Sequence, residues 1–279
     1  MAPERSRREF VRNASLGCVV GTVGIRLSLY RPSPRKRDPP RIVGHRGCAL
    51  EAPENTLAAV EHASQSADAV ELDVRRAGSG ELVVFHDETV DRITGGTGAV
   101  EAHTLEELGE LSILETEESI PRLESVFESV PTSTSLVLDL KETGLVDDAL
   151  TLVNGFDHDV LLSSFDQSVV ENVSEAGADS ALIVRETWLA RRARGLVART
   201  SIPVYLQQPV NRLVETAIDL GCVAIHPRFE LCLRTPLVER AHERGLLVEP
   251  WTITNTQQAT KLADIGVDGL ITDVCTPLE

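Results

Sequence analysis

Short apolar runs rich in β-branched residues alternate along this chain with longer segments of helical periodicity. This alternation is typical of parallel α/β folds, in which each strand is followed by a helix that packs on the sheet. The predicted strands lie at 41–45, 69–74, 136–140, 160–164, 180–184, 222–226, 247–252 and 269–272. The predicted helices lie at 55–66, 144–154, 167–176, 187–199, 209–220, 235–244 and 256–264. Eight strands predict a single (β/α)8 barrel of the TIM type over residues 41–279, close to the usual size of about 250 residues.

Two further apolar runs fall outside this count. Residues 82–86 follow the second strand across the turn sequence at 78–80, so we expect a hairpin-like excursion there. The stretch 87–135 then leads to the third barrel strand, and loops of that length are usually functional. We therefore expect a cap over the barrel mouth that shapes the substrate pocket. The run 203–206 could displace one strand assignment.

Polar side chains stand where several predicted strands end. They are His45 and Arg46 after the first strand, Glu71 and Asp73 at the end of the second, His86 after the extra run, and Asp139 and Lys141 at the third. The carboxyl ends of barrel strands build the active site in TIM barrels, so these residue types indicate chemistry there. Glu71 and Asp73 are two residues apart on one strand, point to the same face and can share a cation. An all-oxygen ligand set favours Mg²⁺ or Ca²⁺ over zinc.

These motifs resemble the glycerophosphodiester phosphodiesterase family, over a region from about Arg41 to Pro277. The resemblance rests on His45-Arg46-Gly47, Ala52-Pro53-Glu54-Asn55-Thr56, Glu71-Leu72-Asp73-Val74, Val84-Phe85-His86-Asp87, Trp251-Thr252-Ile253 and Asp268-Gly269-Leu270-Ile271-Thr272-Asp273. It implies a TIM-type barrel that hydrolyses glycerophosphodiesters to glycerol phosphate and an alcohol with a divalent cation. By the same resemblance, His45 and His86 are the acid/base pair, Glu71 and Asp73 bind the metal, and Arg46 and Lys141 bind the phosphate.

One position departs from the family pattern. The family usually has Glu where this chain has Asp139, and Asp is shorter by about 1.5 Å, one carbon–carbon bond. Direct ligation of the metal and ligation through a bridging water therefore both stay open for Asp139.

Three other residues carry two interpretations each. Glu54 can touch the metal or substrate, or can cap the following helix together with Asn55. Trp251 ends a strand and can wall the pocket or simply pack in the core, and His226 can line the mouth or mark a turn. We take Glu54 and Trp251 as substrate-binding candidates.

The chemistry of a phosphodiester explains why these residue types belong together. Its anion repels nucleophiles and its leaving alkoxide is poor, so catalysis needs charge neutralisation and a proton donor. An imidazole titrates near neutrality and suits the proton transfers, with water or the neighbouring glycerol hydroxyl as the attacker. Two alternatives remain: a phospholipase-like enzyme acting on intact lipids, for which 4% aromatic residues give little support, and a degenerate barrel without activity.

Charge is distributed unevenly along the chain. The formal net charge is −16, with nine basic and three acidic residues in 1–40 against 18 basic and 40 acidic residues beyond them. Only three lysines occur, Lys36, Lys141 and Lys261. An acidic, lysine-poor body predicts a halophilic, archaeal source, or else an ordinary acidic protein. It also argues against nucleic-acid binding, because no basic patch is available to neutralise phosphates.

Residues 1–40 read as a basic leader followed by a proline-rich linker. The run Ser6-Arg7-Arg8-Glu9-Phe10 resembles a twin-arginine export signal, and the apolar run 14–25 after it is too short to span a bilayer. We expect export to the cell surface or medium. A disordered leader on a cytoplasmic protein, or a wrongly chosen start codon, is the alternative.

Five cysteines make an odd number with no CxxC spacing: Cys18, Cys48, Cys222, Cys232 and Cys275. We expect small core residues or free thiols rather than a zinc site. Nothing in the pattern indicates an oligomeric state.

Overall fold

A computed structural model describes residues 39–184 and 210–276. The leader, the predicted helix at 187–199 and the apolar run 203–206 lie outside the described residues. Within the described ranges, no helix is long and apolar enough to cross a membrane.

All of the described strands except β3 form a parallel barrel, as the alternating pattern predicts. They are β1 Arg41–His45, β2 Ala69–Arg76, β3 Leu82–Val84, β4 Ser135–Leu140, β5 Val160–Ser164, β6 Ser180–Ile183, β7 Ala224–His226, β8 Leu247–Val248 and β9 Gly269–Thr272. Hydrogen-bonded neighbours follow the order β8-β7-β6-β5-β4-β2-β1-β9. Backbone bonds from Asp268 and Ile271 to the carbonyls of Val248 and Pro250 then join β9 to the segment that continues β8. The eight-stranded barrel predicted from the sequence is confirmed.

The predicted hairpin is confirmed at β3, which pairs antiparallel with β2. The segment after it carries a small apolar core of its own, made of Ala77, Val83, Phe85, Val90, Ile93, Val100, Leu108, Ile113 and Ile120. Short 3-10 turns at Val90–Arg92 and Val100–Ala102 and the short helix Leu105–Gly109 build this segment. The capping excursion between the second and third barrel strands is therefore an ordered unit, with its own packing.

Helices cover the outside of the barrel. They are Leu57–Ser64, Leu123–Ser129, Val146–Val153, Gln167–Glu175, Val210–Asp219, Phe229–Arg234, Leu237–Glu243 and Thr256–Asp264. Two of them begin at side-chain N-caps. The Asp166 side chain accepts a hydrogen bond from the Ser168 amide, and the Asn255 side chain accepts one from the Gln258 amide. The sequence analysis did not predict the helices at Leu123–Ser129 and Phe229–Arg234.

Inside the barrel, one side chain from almost every strand meets in a single apolar layer. The layer consists of Val43, Ala69, Val137, Leu161, Ala181, Ala224 and Ile271, with Leu247 and Trp251 packed against it. Because side chains on a strand alternate between two faces, the residues two and four positions further along also point into the barrel. The inner layer thus fixes which residues form the floor and walls of the barrel mouth.

The structure corrects the interpretation of the cysteines. Cys48 and Cys275 form a disulfide across 227 residues, with Cα atoms 5.7 Å apart, within the usual range for such bridges. Reading all five as free thiols or small core residues was therefore wrong for this pair. Cys222 and Cys232 are free and buried, as expected.

Candidate active site

A pocket opens at the carboxyl ends of the barrel strands, directly above the inner layer. It is lined by His45, Arg46, Glu71, Asp73, His86, Asp139, Lys141, Ser163, Phe165, Ile183, His226, Trp251 and Ile271. Most of these residues lie two or four positions beyond a member of the inner layer, so strand alternation brings them together. Of the nine site residues predicted from sequence, only Glu54 is not among the lining side chains.

Three buried carboxylates, those of Glu71, Asp73 and Asp139, form the floor of the pocket. Asp73 on β2 stands directly opposite Asp139 on the neighbouring strand β4. One oxygen from each of the three carboxylates lies within 4.8 Å of the others. The Oδ1 atom of Asp139 is buried and has no hydrogen-bond partner. A clustered, all-oxygen donor set with one unsatisfied oxygen fits a hard divalent cation.

The electrostatics of the carboxylates are consistent with such a cation. Burial and the neighbouring charge of Asp73 raise the pKa of Glu71 to about 7. Burial also raises the pKa of Asp139, although Lys141 opposes the shift. A bound cation would favour the ionised forms of both groups, because it supplies positive charge where the protein itself supplies too little.

Asp73 is the carboxylate that the protein itself neutralises. Lys141 Nζ lies 2.6 Å from Asp73 Oδ1 and also pairs with Asp139. Arg46 Nε lies 3.1 Å from Asp73 Oδ2. Burial alone would raise the pKa of Asp73, but these two cations hold it well below its usual range. The two predicted phosphate-binding side chains therefore stand at the carboxylate floor, where a phosphate could meet them and a metal together.

Asn55 is a site residue that the sequence analysis missed. Its buried side chain donates from Nδ2 to Asp73 Oδ2 at 2.8 Å and accepts from the Asp73 amide at 3.2 Å. Asn55 adopts a left-handed backbone with φ 62°, which Asn tolerates better than most residues. Asn55 does not cap the next helix, which was one of the two interpretations of this segment, because the Thr56 hydroxyl accepts from the Ala59 amide instead.

Glu54 lies outside the pocket lining, between two arginine side chains. Its carboxylate accepts a hydrogen bond from Arg46 Nη1 at 2.8 Å and two from Arg92, at 2.6 and 3.0 Å. It does not line the pocket and does not cap the helix. Glu54 instead links Arg46 to Arg92, an arginine of the capping excursion.

Each of the two predicted catalytic histidines is held by an aspartate. His45 Nδ1 lies 2.6 Å from Asp273 Oδ1, and His86 Nδ1 lies 2.6 Å from Asp87 Oδ1. A carboxylate on Nδ1 keeps a proton there and leaves Nε2 as the reactive nitrogen. His45 Nε2 lies 4.0 Å from Glu71, which places it beside the carboxylate floor.

The two aspartates were missed as orienting groups, although both stand in motifs quoted from the sequence. Asp87 directly follows His86, and its other oxygen pairs with Arg92. Asp273 is 228 residues from His45, so only the barrel topology reveals that they meet.

The surroundings of the two histidines shift their pKa values in opposite directions. Burial opposes the charged form of His45, but the hydrogen bond to Asp273 and the charge of Glu71 outweigh it and raise its pKa. Burial lowers the pKa of His86, and Lys141 and Arg46 add to that shift against the effect of Asp73.

The opposite wall of the pocket is aromatic. Trp251 packs edge-to-face on Phe165, with ring centroids 5.7 Å apart, and its Nε1 donates to the His226 carbonyl at 2.9 Å. The His226 ring is buried and lies 3.1 Å from Glu249, a carboxylate that Arg41 also binds. Trp251 therefore both lines the pocket and packs against the inner layer. His226 lines the mouth of the pocket, which is one of the two interpretations that the sequence left open for it.

Comparison with known proteins gives the family. The profile of the glycerophosphoryl diester phosphodiesterase family matches residues 45–276. The chain belongs to this family. The match covers the described parts of the barrel from His45 onward, including both histidines and all three carboxylates.

Relatives of this family support the assignment over most of their length. A glycerophosphodiester phosphodiesterase from Caldanaerobacter subterraneus is 30% identical over 241 residues, which cover 83% of this chain and 93% of the relative. The glycerophosphodiester phosphodiesterase of Thermotoga maritima has a similar structure, with a TM-score of 0.69 and 25% identity over 84% of this chain and 94% of its own. An Oleispira antarctica phosphodiesterase, solved with the product sn-glycerol-3-phosphate, gives a TM-score of 0.68 and 25% identity over 85% and 94%.

The opposed environments predict distinct titrations of the two histidines. In the metal-free protein with EDTA, we expect His45 to titrate above the ordinary value of about 6.5 and His86 below it. Imidazole nitrogen NMR measures both, with His45→Ala and His86→Ala used for assignment. Asp273→Asn should lower the pKa of His45 and leave that of His86 in place. A His86 pKa above that of His45 would contradict this account of the site.

Proposed function

We propose that this chain hydrolyses glycerophosphodiesters to glycerol phosphate and an alcohol. The observation that carries the proposal is one pocket lined both by two aspartate-held histidines and by three clustered carboxylates. Family membership supports it, as do the related glycerophosphodiester phosphodiesterase of Caldanaerobacter and the glycerol phosphate bound to the Oleispira enzyme. The substrate is a small molecule, and the acidic body argues against nucleic acid.

We assign a divalent cation, Mg²⁺ or Ca²⁺, to Glu71, Asp73 and Asp139. When bound, the ion would neutralise charge on the phosphate oxygens. Asp139 belongs to the carboxylate cluster and its buried Oδ1 has no hydrogen-bond partner, which supports direct ligation despite the shorter side chain. The other oxygen of Asp139 is engaged by Lys141.

The remaining groups supply charge and proton transfer. Arg46 and Lys141 neutralise the nonbridging oxygens of the diester, which otherwise repel a nucleophile. One histidine accepts the proton of the attacking hydroxyl at Nε2, and the other delivers a proton to the departing alkoxide oxygen. The aspartates behind them fix the tautomers and orient both rings.

Water and the neighbouring glycerol hydroxyl are both suitable attackers. Either can lose its proton to an imidazole at neutral pH, and the aromatic wall at Trp251 is a suitable surface for the glycerol carbons. Intact phospholipids are a less favoured substrate. The large apolar side chains that are clearly exposed in the described residues, Leu50, Leu114, Leu233 and Ile265, come from separate segments of the chain. Scattered exposed apolar residues are normal on soluble surfaces.

The function is tested by alcohol release from a panel of glycerophosphodiesters with Mg²⁺ or Ca²⁺ and then with EDTA. We expect release that EDTA abolishes. His45→Ala and His86→Ala should each lower kcat by about 10²–10⁴-fold, the usual worth of an acid or base. His242→Ala is the matched control, since His242 lies on the surface beside Asp268 and outside the pocket. More than about a tenth of wild-type turnover in either active-site variant would remove that histidine from acid/base catalysis.

We also propose export by the twin-arginine route and function in concentrated salt. The Arg7-Arg8 pair in its basic leader supports export, and the Cys48–Cys275 disulfide supports an oxidising compartment. The large acidic excess beyond residue 40 supports a salt-rich environment, because salt screens the self-repulsion of such a body.

One expression experiment tests both proposals. In a host that has the twin-arginine machinery, we expect the full chain outside the cytoplasm, and Arg7→Lys with Arg8→Lys should retain it inside. Arg35→Lys with Arg37→Lys, in the linker, is the matched control. The thermal midpoint of the recovered protein should rise between about 0.1 M and 2 M KCl, a range over which the Debye length shrinks severalfold. Export of the Arg7/Arg8 variant, or a midpoint that does not rise, would overturn the corresponding proposal.

A further inference from the structure

The Cys48–Cys275 disulfide joins the same two segments that bring His45 and Asp273 together. Cys48 follows His45 by three residues, and Cys275 follows Asp273 by two. The Nδ1 atom of His45 and the Oδ1 atom of Asp273 are 2.6 Å apart. The covalent bridge and the hydrogen bond therefore connect the same two pieces of chain, which are more than 220 residues apart in sequence.

Polar contacts reinforce this connection. The Leu50 amide donates to the Asp273 carbonyl at 3.0 Å. The Glu51 carboxylate accepts from the amides of Cys275 at 3.0 Å and Thr276 at 3.2 Å, and also from the Thr276 hydroxyl. Residues 50 and 51 on one side thus hold residues 273–276 on the other.

The bridge also packs against the strand that carries His45. A Cβ atom built on Gly44 would lie 2.9 Å from the Cys48 sulfur and 3.1 Å from the Cys275 sulfur, which leaves no free space for a side chain. Both sulfurs therefore lie close to β1 one residue before the histidine. Cys48 is fully buried and Cys275 nearly so, which leaves little room for either to move.

We propose that the Cys48–Cys275 disulfide positions the His45–Asp273 pair, so that the oxidised protein is the competent form. This inference rests on the proposed function only in giving His45 a proton-transfer role. Asp273 follows the last barrel strand directly, and among the described residues only 274–276 come after it. Asp273 is therefore held by β9 on its N-terminal side and by the disulfide at Cys275 on its C-terminal side.

Loss of the bridge would let Asp273 drift from the imidazole, and small displacements at a reacting group are costly in rate. Closing the bridge removes two protons and two electrons from the thiols, which a disulfide oxidant accepts. A dithiol such as dithiothreitol returns them and reopens the bridge.

The bridge itself is checked by alkylation of the denatured full chain and intact mass. Without reductant we expect three modified cysteines, Cys18, Cys222 and Cys232, and five after reduction. Five modified cysteines without reductant would overturn the proposal at once.

Kinetics then test the positioning role. Reduction by dithiothreitol and the double variant Cys48→Ala/Cys275→Ala should each lower kcat by about tenfold and leave KM within about twofold, because a proton-transfer group is misplaced while the phosphate-binding cations are not. Cys222→Ala/Cys232→Ala is the matched control. It removes the two free thiols and should leave kcat unchanged. Circular dichroism at the assay temperature confirms that each variant is folded. An unchanged kcat in both bridge-free forms would contradict the proposal.

A double-mutant cycle separates positioning from general stabilisation. If the bridge acts through the His45–Asp273 pair, removing it in an Asp273→Asn background should cost less than about twofold in kcat. A purely structural bridge would cost the same tenfold again, and that result would overturn the proposal.

A readout without substrate keeps this test independent of the proposed function. The hydrogen-bonded Nδ1 proton of His45 should give a low-field NMR signal in the oxidised protein that is lost on reduction. Its persistence in the reduced protein would contradict the proposal even if no diester is hydrolysed. Absence of hydrolysis by the oxidised wild type would count against the proposed function alone.

Discussion

The site depends on the burial of three carboxylates at one place in the barrel. Taking an ionised carboxylate out of water costs several kcal/mol unless nearby groups compensate its charge. Lys141, Arg46 and Asn55 converge on Asp73 and compensate one of the three. Glu71 and Asp139 are left with raised pKa values. This remaining deficit of positive charge is the feature that a divalent cation would correct, and it connects the fold to the chemistry.

The barrel produces this arrangement by strand alternation and by the register of neighbouring strands. Val43, Ala69 and Val137 belong to the apolar inner layer, and His45, Glu71 and Asp139 follow them by two positions on the same strands. The parallel register of β2 and β4 then sets Asp73 opposite Asp139. Packing of the apolar inner layer therefore fixes where the polar side chains of the pocket lie. The capping excursion, which has a core of its own, adds His86 from the side.

Sequence patterns were sufficient for the features that repeat or lie close together along the chain. The strand ends that carry His45, Glu71, Asp73 and Asp139 could be predicted because apolar runs of strand length stop there. Contacts between distant segments could not be predicted in this way. Asp273 meets His45 only because β9 closes against β1.

The sequence also did not show which of several neighbouring residues caps the first helix. Glu54, Asn55 and Thr56 are all plausible helix caps, and only the left-handed backbone of Asn55 turns its side chain to Asp73 and leaves the cap to Thr56. The disulfide was concealed by an odd cysteine count and by a separation of 227 residues.

Calorimetric titration of Mg²⁺ and Ca²⁺ into the full chain measures whether the buried carboxylates bind a cation. We expect one ion bound per chain, with binding lost in Glu71→Gln and Asp139→Asn and kept in the exposed control Glu115→Gln. Because the pKa of Glu71 is raised to about 7, ion binding should release protons near neutrality, and this release should fade as the pH rises above that value. Heats measured in buffers of different ionisation enthalpy report the release. Absence of binding, or binding that survives both substitutions, would mean that the three carboxylates do not form a cation site.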